Sequence, residues 1–168
     1  MNWPRPIRIV GVGSPLGDDA LAWEVVRNLR QRQGLPSDVE VYMVEGGQRL
    51  LDRLDGRGTL FLIDALVAGT RPGTIHRFVW PHPSIEALRP GSTHDLRPAE
   101  ALRLAEALGI APPHIVVFGI EVESLAPQAG PNPSVMAAVP ELVQRLVQEW
   151  QGSSTIEEDS PEPIGREH

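Results

Sequence analysis

A chain of 168 residues with 41% apolar side chains suits one domain with a sizeable core, and a formal net charge of −7 with a pI near 5.2 speaks against a nucleic-acid partner or an anionic membrane surface. There is no Cys and no Lys, all 15 basic residues being Arg, which excludes disulfides, thiolate ligands, a cysteine nucleophile, a P-loop lysine, Schiff-base chemistry and a Ser-Lys dyad. No apolar run approaches the roughly 18 residues that span a bilayer, and Met1 to Pro6 lacks the apolar core of a signal peptide, so the cytoplasm is the expected compartment.

Ile7 to Val12 reads as a buried strand, apolar except for Arg8, and the glycines that follow permit a tight turn. From Ala20, Leu21, Val25, Val26 and Leu29 fall at helical spacing, with Gln31 to Gly34 closing the helix. Val39 to Val44 alternates as a second strand, and Glu45-Gly46-Gly47-Gln48 turns it into a short helix carrying Leu50, Leu51 and Leu54. Thr59 to Ile63 is a continuous apolar run, the mark of a central strand covered on both faces, and it ends on Asp64. Thr74 to Val79 predicts an edge strand, antiparallel to its neighbour. Trp80 to Thr93, rich in Pro, Ser and His, reads as a loop. Pro98 suits the first turn of a helix through Leu108, with Ala101, Leu102, Ala105 and Leu108 inward and Gly109 as its stop. His114 to Ile120 is a fifth strand. Ser134 introduces a last helix with Val135, Val139, Leu142, Leu146 and Trp150 on one face and a kink at Pro140. Residues 152 to 168, with five acids, one Arg and two Pro, read as a solvated tail beyond a domain of residues 1 to 151.

Strands alternating with helices imply a three-layer α/β/α sandwich around a mostly parallel sheet of about five strands. In such folds ligands bind at the carboxyl ends of the strands. That edge should gather Asp18, Asp19, Glu45 and Asp64, with His94 on a nearby loop. Taken singly, each has a plain structural explanation: Asp18 or Asp19 caps the helix, Asp64 pairs with an Arg or caps a turn, and His94 is a surface residue. Helix capping needs one carboxylate, however, and an acid pair invites a cation. Two carboxylates and an imidazole form a reasonable ligand set for a divalent metal such as nickel or zinc. His76, His82 and His114 read as structural.

Two other chemistries fit less well. Gly11, Gly13 and Gly17 follow a strand and open a helix, as in a dinucleotide site, but two carboxylates at that helix start would repel a pyrophosphate. No Ser lies in a G-x-S-x-G turn, and Ser14 is followed by Pro15, so a serine hydrolase lacks its context.

The ordered set of motifs carries a resemblance. Gly11-Val12-Gly13-Ser14-Pro15-Leu16, Asp18-Asp19, Glu45-Gly46-Gly47, Ile63-Asp64-Ala65, Ser92-Thr93-His94, and Gly119-Ile120 through Ser124-Leu125 occur in the order found in nickel-iron hydrogenase maturation proteases, which the stretch from Ile7 to Trp150 resembles. The resemblance implies an endopeptidase that removes a C-terminal extension from a nickel-iron hydrogenase large-subunit precursor once nickel has been inserted. It maps the family's metal-recognition residues onto Asp19, Asp64 and His94; Asp18 and Glu45, expected at the same edge, are candidates for supporting roles. The nickel sensed is then that carried by the substrate, with no organic cofactor. A cytoplasmic monomer with no nucleic-acid or membrane partner is expected. A chaperone that binds metal or nucleotide and docks on the large subunit without cutting it is the alternative.

Overall fold

The computed structural model describes residues 2–13, 20–87, 96–123 and 132–152. The first half is built from β1 (Ile7–Val12), α1 (Leu21–Gln31), β2 (Val39–Val44), α2 (Gly46–Leu51) and β3 (Thr59–Leu66). The second half adds β4 (Ile75–Val79), α3 (Pro98–Ala107), β5 (His114–Glu121), α4 (Pro133–Met136) and α5 (Ala138–Gln151). The five strands form one sheet in the order β2-β1-β3-β5-β4, parallel except for β4, which runs antiparallel to β5 at the edge.

Period-two alternation in the strands divides the core into two layers. Ile7, Ile9, Phe61, Ile63, Val116, Phe118 and Ile120 face α1 and α5, where Leu21, Val25, Leu29, Leu142, Leu146 and Trp150 cover them. Val10, Val12, Leu60, Leu62, Leu66, Ile115 and Val117 face α2 and α3, meeting Leu50, Leu102 and Ala105. Every residue of β3 is buried, as its uninterrupted apolar run requires of a strand with helices on both faces. Trp3 extends the first layer, its ring edge-on to Phe61 with centroids 5.9 Å apart.

Several expectations are corrected. Asp64 does not end its strand, because β3 runs on to Leu66 alongside β5. Helix α3 stops at Ala107, and Leu108, expected inward, is 60% exposed where the chain turns out through Gly109 at φ +71°. The stretch expected as a loop contains a 3-10 turn, Pro83–Ala87, that buries Ile85 against the α2/α3 layer; residues 88 to 93 lie outside the described residues. The stretch expected as one last helix from Ser134 is two: it opens with α4, capped by Asn132, whose Oδ1 accepts from the Ser134 N–H at 2.9 Å. Its break falls at Ala137, not at Pro140. Pro140 has no N–H to offer the carbonyl one turn back, so helical bonding lapses before it and Pro140 sits in the first turn of α5, where no donor is needed. The final helix ends at Gly152 with φ 72°, and the expected tail from residue 153 onward lies outside the described residues.

At the amino end of the sheet, Arg8 grips Asp55 through two parallel bonds of 2.5 and 2.9 Å and also donates to Glu40. Arg8 and then Arg57 hold the Asp55 carboxyl well below the usual carboxylate range. A carboxyl so depressed stabilises the fold above the ordinary carboxylate value near 4 and loses that contribution as pH falls toward its folded value. Asp55→Asn is therefore expected to lower Tm at pH 7 by about 1–4 °C, this being a partly exposed pair. It should also flatten the fall of Tm below pH about 4, both read from thermal melts across pH.

Candidate functional site

The strand order reverses between β1 and β3: after β1 the chain steps outward to β2, then returns to the other flank of β1. α1 and α2, which follow β1 and β2, consequently cover opposite faces, and the carboxyl ends of β1 and β3 flank the point at which folds of this kind bind ligands. Asp18 and Asp19 follow β1 in sequence. β3 carries Asp64.

Asp64 is 1% exposed in a strand that is otherwise apolar after Thr59. Burying a carboxylate costs several kcal/mol unless donors or a cation meet it, so position 64 is not a packing position. One donor is the N–H of Ala65, 2.8 Å from Oδ1. By alternation Asp64 shares the α2/α3 face with Leu62 and Leu66, and its register partner on β5 is Gly119. Gly119 puts no side chain beside the carboxylate. The β1 ladder ends with Gly11 opposite Ile63, so Asp64 is paired on the β5 side only.

Glu45 is exposed at the N-cap of α2. It follows the end of β2, the edge strand that β1 separates from β3. Glu45 lines an open depression of about 340 Å³ with Met43, Arg49 and Arg53.

Gly47 explains the second glycine of the Glu-Gly-Gly turn. Its N–H donates to the Leu96 carbonyl at 3.0 Å, and a Cβ there would lie 2.5 Å from that oxygen and 3.0 Å from the Ala101 Cβ. The missing side chain lets the segment leading into α3 press against α2. The contact ties Leu96, two residues after His94 in sequence, to the start of α2. Gly11 acts similarly on the other face, where a Cβ would lie 2.8 Å from the Ala22 carbonyl of α1.

Asp18, Asp19 and His94 lie outside the described residues, as do Ser92, Thr93, Ser124 and Leu125. Among the described residues no three acid or imidazole side chains gather as a metal site. His82 and His114 make structural contacts, His82 stacking on Phe78 and His114 lying edge-on to Trp3.

Glu121, absent from the sequence-derived set, is the other buried acid at this edge, 1% exposed at the end of β5. Its signal was present: like Asp64 it follows a continuous apolar strand. Thr70, His76 and Glu121 have the composition of a hydroxyl–imidazole–carboxylate relay. Both contacts fall on His76 Nε2, at 2.9 Å from Thr70 Oγ1 and 3.8 Å from Glu121 Oε2, whereas a relay uses opposite ring nitrogens.

A family model described as HycI, hydrogenase maturation protease, matches residues 23–149. The chain is similar to the hydrogenase 2 maturation protease of Escherichia coli K12, 30% identical with 96% of each chain covered. It is also similar to the hydrogenase expression/formation protein HoxM of Cupriavidus necator, 28% identical over 85% of this chain and 74% of that one. Among solved structures, the hydrogenase maturating endopeptidase HybD from E. coli matches with a TM-score of 0.74 and 29% identity, covering 91% of this chain and 94% of that one.

Proposed function

Because the chain belongs to the hydrogenase maturation protease family, we propose that it is the cytoplasmic endopeptidase that removes the C-terminal extension of a nickel-iron hydrogenase large-subunit precursor after nickel insertion. Asp19, Asp64 and His94 take hold of the nickel that the precursor carries. Two carboxylates and an imidazole suit a divalent metal of that type. With the metal seated at these residues, the peptide beside it is presented for hydrolysis, in which water supplies hydroxyl to the scissile carbonyl carbon and a proton to the leaving amine. Asp18 and Glu45 support the site from its rim.

The observation that carries this reading is Asp64 itself, a buried carboxylate on the strand flanking the reversal point, with a glycine as its neighbour on β5. A resident catalytic metal is not required, since the nickel arrives with the substrate.

The test is to mix the purified protein with an unprocessed large subunit, nickel-loaded or nickel-free, and weigh both chains by mass spectrometry. Loss of a C-terminal peptide from the loaded subunit alone is the expected result. Stable binding without a mass change in either subunit would replace the protease with an assembly chaperone.

A further inference from the structure

We infer that Glu121 is a positioning residue for the cleavage step, one that fixes the end of β3 and thereby the Asp64 carboxylate. The inference rests on the reading of Asp64 given above.

Glu121 Oε1 accepts three consecutive main-chain N–H groups, from Ala68 at 3.0 Å, Gly69 at 2.7 Å and Thr70 at 2.9 Å, and Oε2 accepts from Ala68 at 3.1 Å. The main chain of the same residue bonds the far side of the loop: its N–H donates to the Thr74 carbonyl at 2.9 Å, and its carbonyl accepts from Gly73 at 2.8 Å. One residue of β5 therefore closes the whole connection from β3 to β4.

That connection matters because of how Asp64 is held. Residues 64 to 66 extend past the β1 ladder and are paired with β5 alone, through Gly119, Ile120 and Glu121. Such a half-paired strand end is held in place by whatever anchors the turn beyond it. Here the anchor is a carboxylate two positions along β5 from the register partner of Asp64. Alternation puts both acids on the same face of the sheet. Without the anchor, amides 68 to 70 lose their acceptors, the turn opens, and residues 64 to 66 gain freedom that a metal-gripping carboxylate cannot tolerate. Misplacement by about 1 Å can cost about 100-fold in rate.

The test compares Glu121→Ala, Glu121→Asp and Glu121→Gln with the parent protein in single-turnover cleavage of nickel-loaded precursor, with enzyme in excess and its folded fraction measured. The expected result is a cleavage rate at saturation lower by about 10- to 100-fold for the Ala and Asp variants. The concentration giving half the maximal rate should change far less. Glu121→Gln should restore the rate, because an amide oxygen can replace Oε1, which makes three of the four contacts. Hydrogen exchange at amides 68 to 70 should be fast in the Ala variant and slow in the Gln variant.

If Glu121→Ala does not fold, the Asp and Gln pair decides. Asp cleaving at the parent rate, or Gln as slow as Asp, overturns the inference. Parent protein that leaves loaded precursor uncut overturns instead the proteolytic reading on which it rests.

Discussion

Asp64→Asn is expected to abolish precursor processing, with cleavage of nickel-loaded large subunit falling at least about a thousandfold, or about 4 kcal/mol in barrier. The substitution is nearly isosteric. An Asn Oδ1 can still accept the Ala65 N–H, and the strand remains paired with β5, so far-UV circular dichroism should match the parent. What is lost is the negative charge and one of the oxygens that the proposed function assigns to holding a divalent metal. His94→Ala should behave alike, since it removes the one imidazole of the set. A thermal melt and a cleavage assay on the same preparation separate function from folding: parent-like melting without cleavage supports the reading, and parent-like cleavage by both variants removes the metal-sensing role.

Gly47→Ala is expected to be the most damaging change at a residue that never touches substrate. A Cβ there meets the Leu96 carbonyl at 2.5 Å, the Ala101 Cβ at 3.0 Å and the Arg97 carbonyl at 3.1 Å. Two of those three are main-chain atoms, which cannot swing aside as a side-chain tip can. The segment entering α3 has to retreat, stretching the Gly47 to Leu96 hydrogen bond and displacing Leu96, two residues after His94 in sequence. Overpacking of this kind costs about 1–3 kcal/mol, worth about 2–4 °C of Tm per kcal/mol in a chain of this size. Cleavage should fall much further than that stability loss explains. Gly109→Ala is the control: φ is +71°, yet no atom lies within 4 Å of the added Cβ. It should cost about 1 kcal/mol in stability and leave processing at the parent rate.

The sequence stated the fold clearly where one physical signal acted alone. Ile7–Val12 and Val39–Val44 have the expected bounds, because apolar runs closed by Gly-rich turns admit little else. The mixed polarity of Thr74 to Val79 correctly marked an antiparallel edge strand. Errors came where two signals competed. The apolar run stops at Asp64, while pairing with β5 carries β3 past it to Leu66. Pro140 signals a kink at its own position, whereas a missing N–H is felt at the carbonyl one turn earlier.

The site was legible in part and for a different reason. Asp64 stands out as an acid after an apolar run, and Glu121 carries the same signature in Ile115 to Glu121 but falls on a position that the Gly119 to Leu125 motif leaves unspecified. Its partners are main-chain amides of residues 68 to 70, which sequence does not distinguish from any other amide. The purpose of Gly47 was likewise invisible, since it depends on how closely a segment about 50 residues away approaches.

The last of the described elements is also the lid of the larger core layer. α5 covers Phe61, Phe118 and α1 with Leu142, Leu146 and Trp150, so a nascent chain holding β1 to β5 still shows that apolar face to water. Domains form as units while synthesis proceeds from the amino end, and this one has no closed core until residue 150 has left the ribosome. A message broken before that codon yields a sticky, half-covered sheet and no partly active enzyme, which makes the α5 codons as indispensable as those of the strand ends.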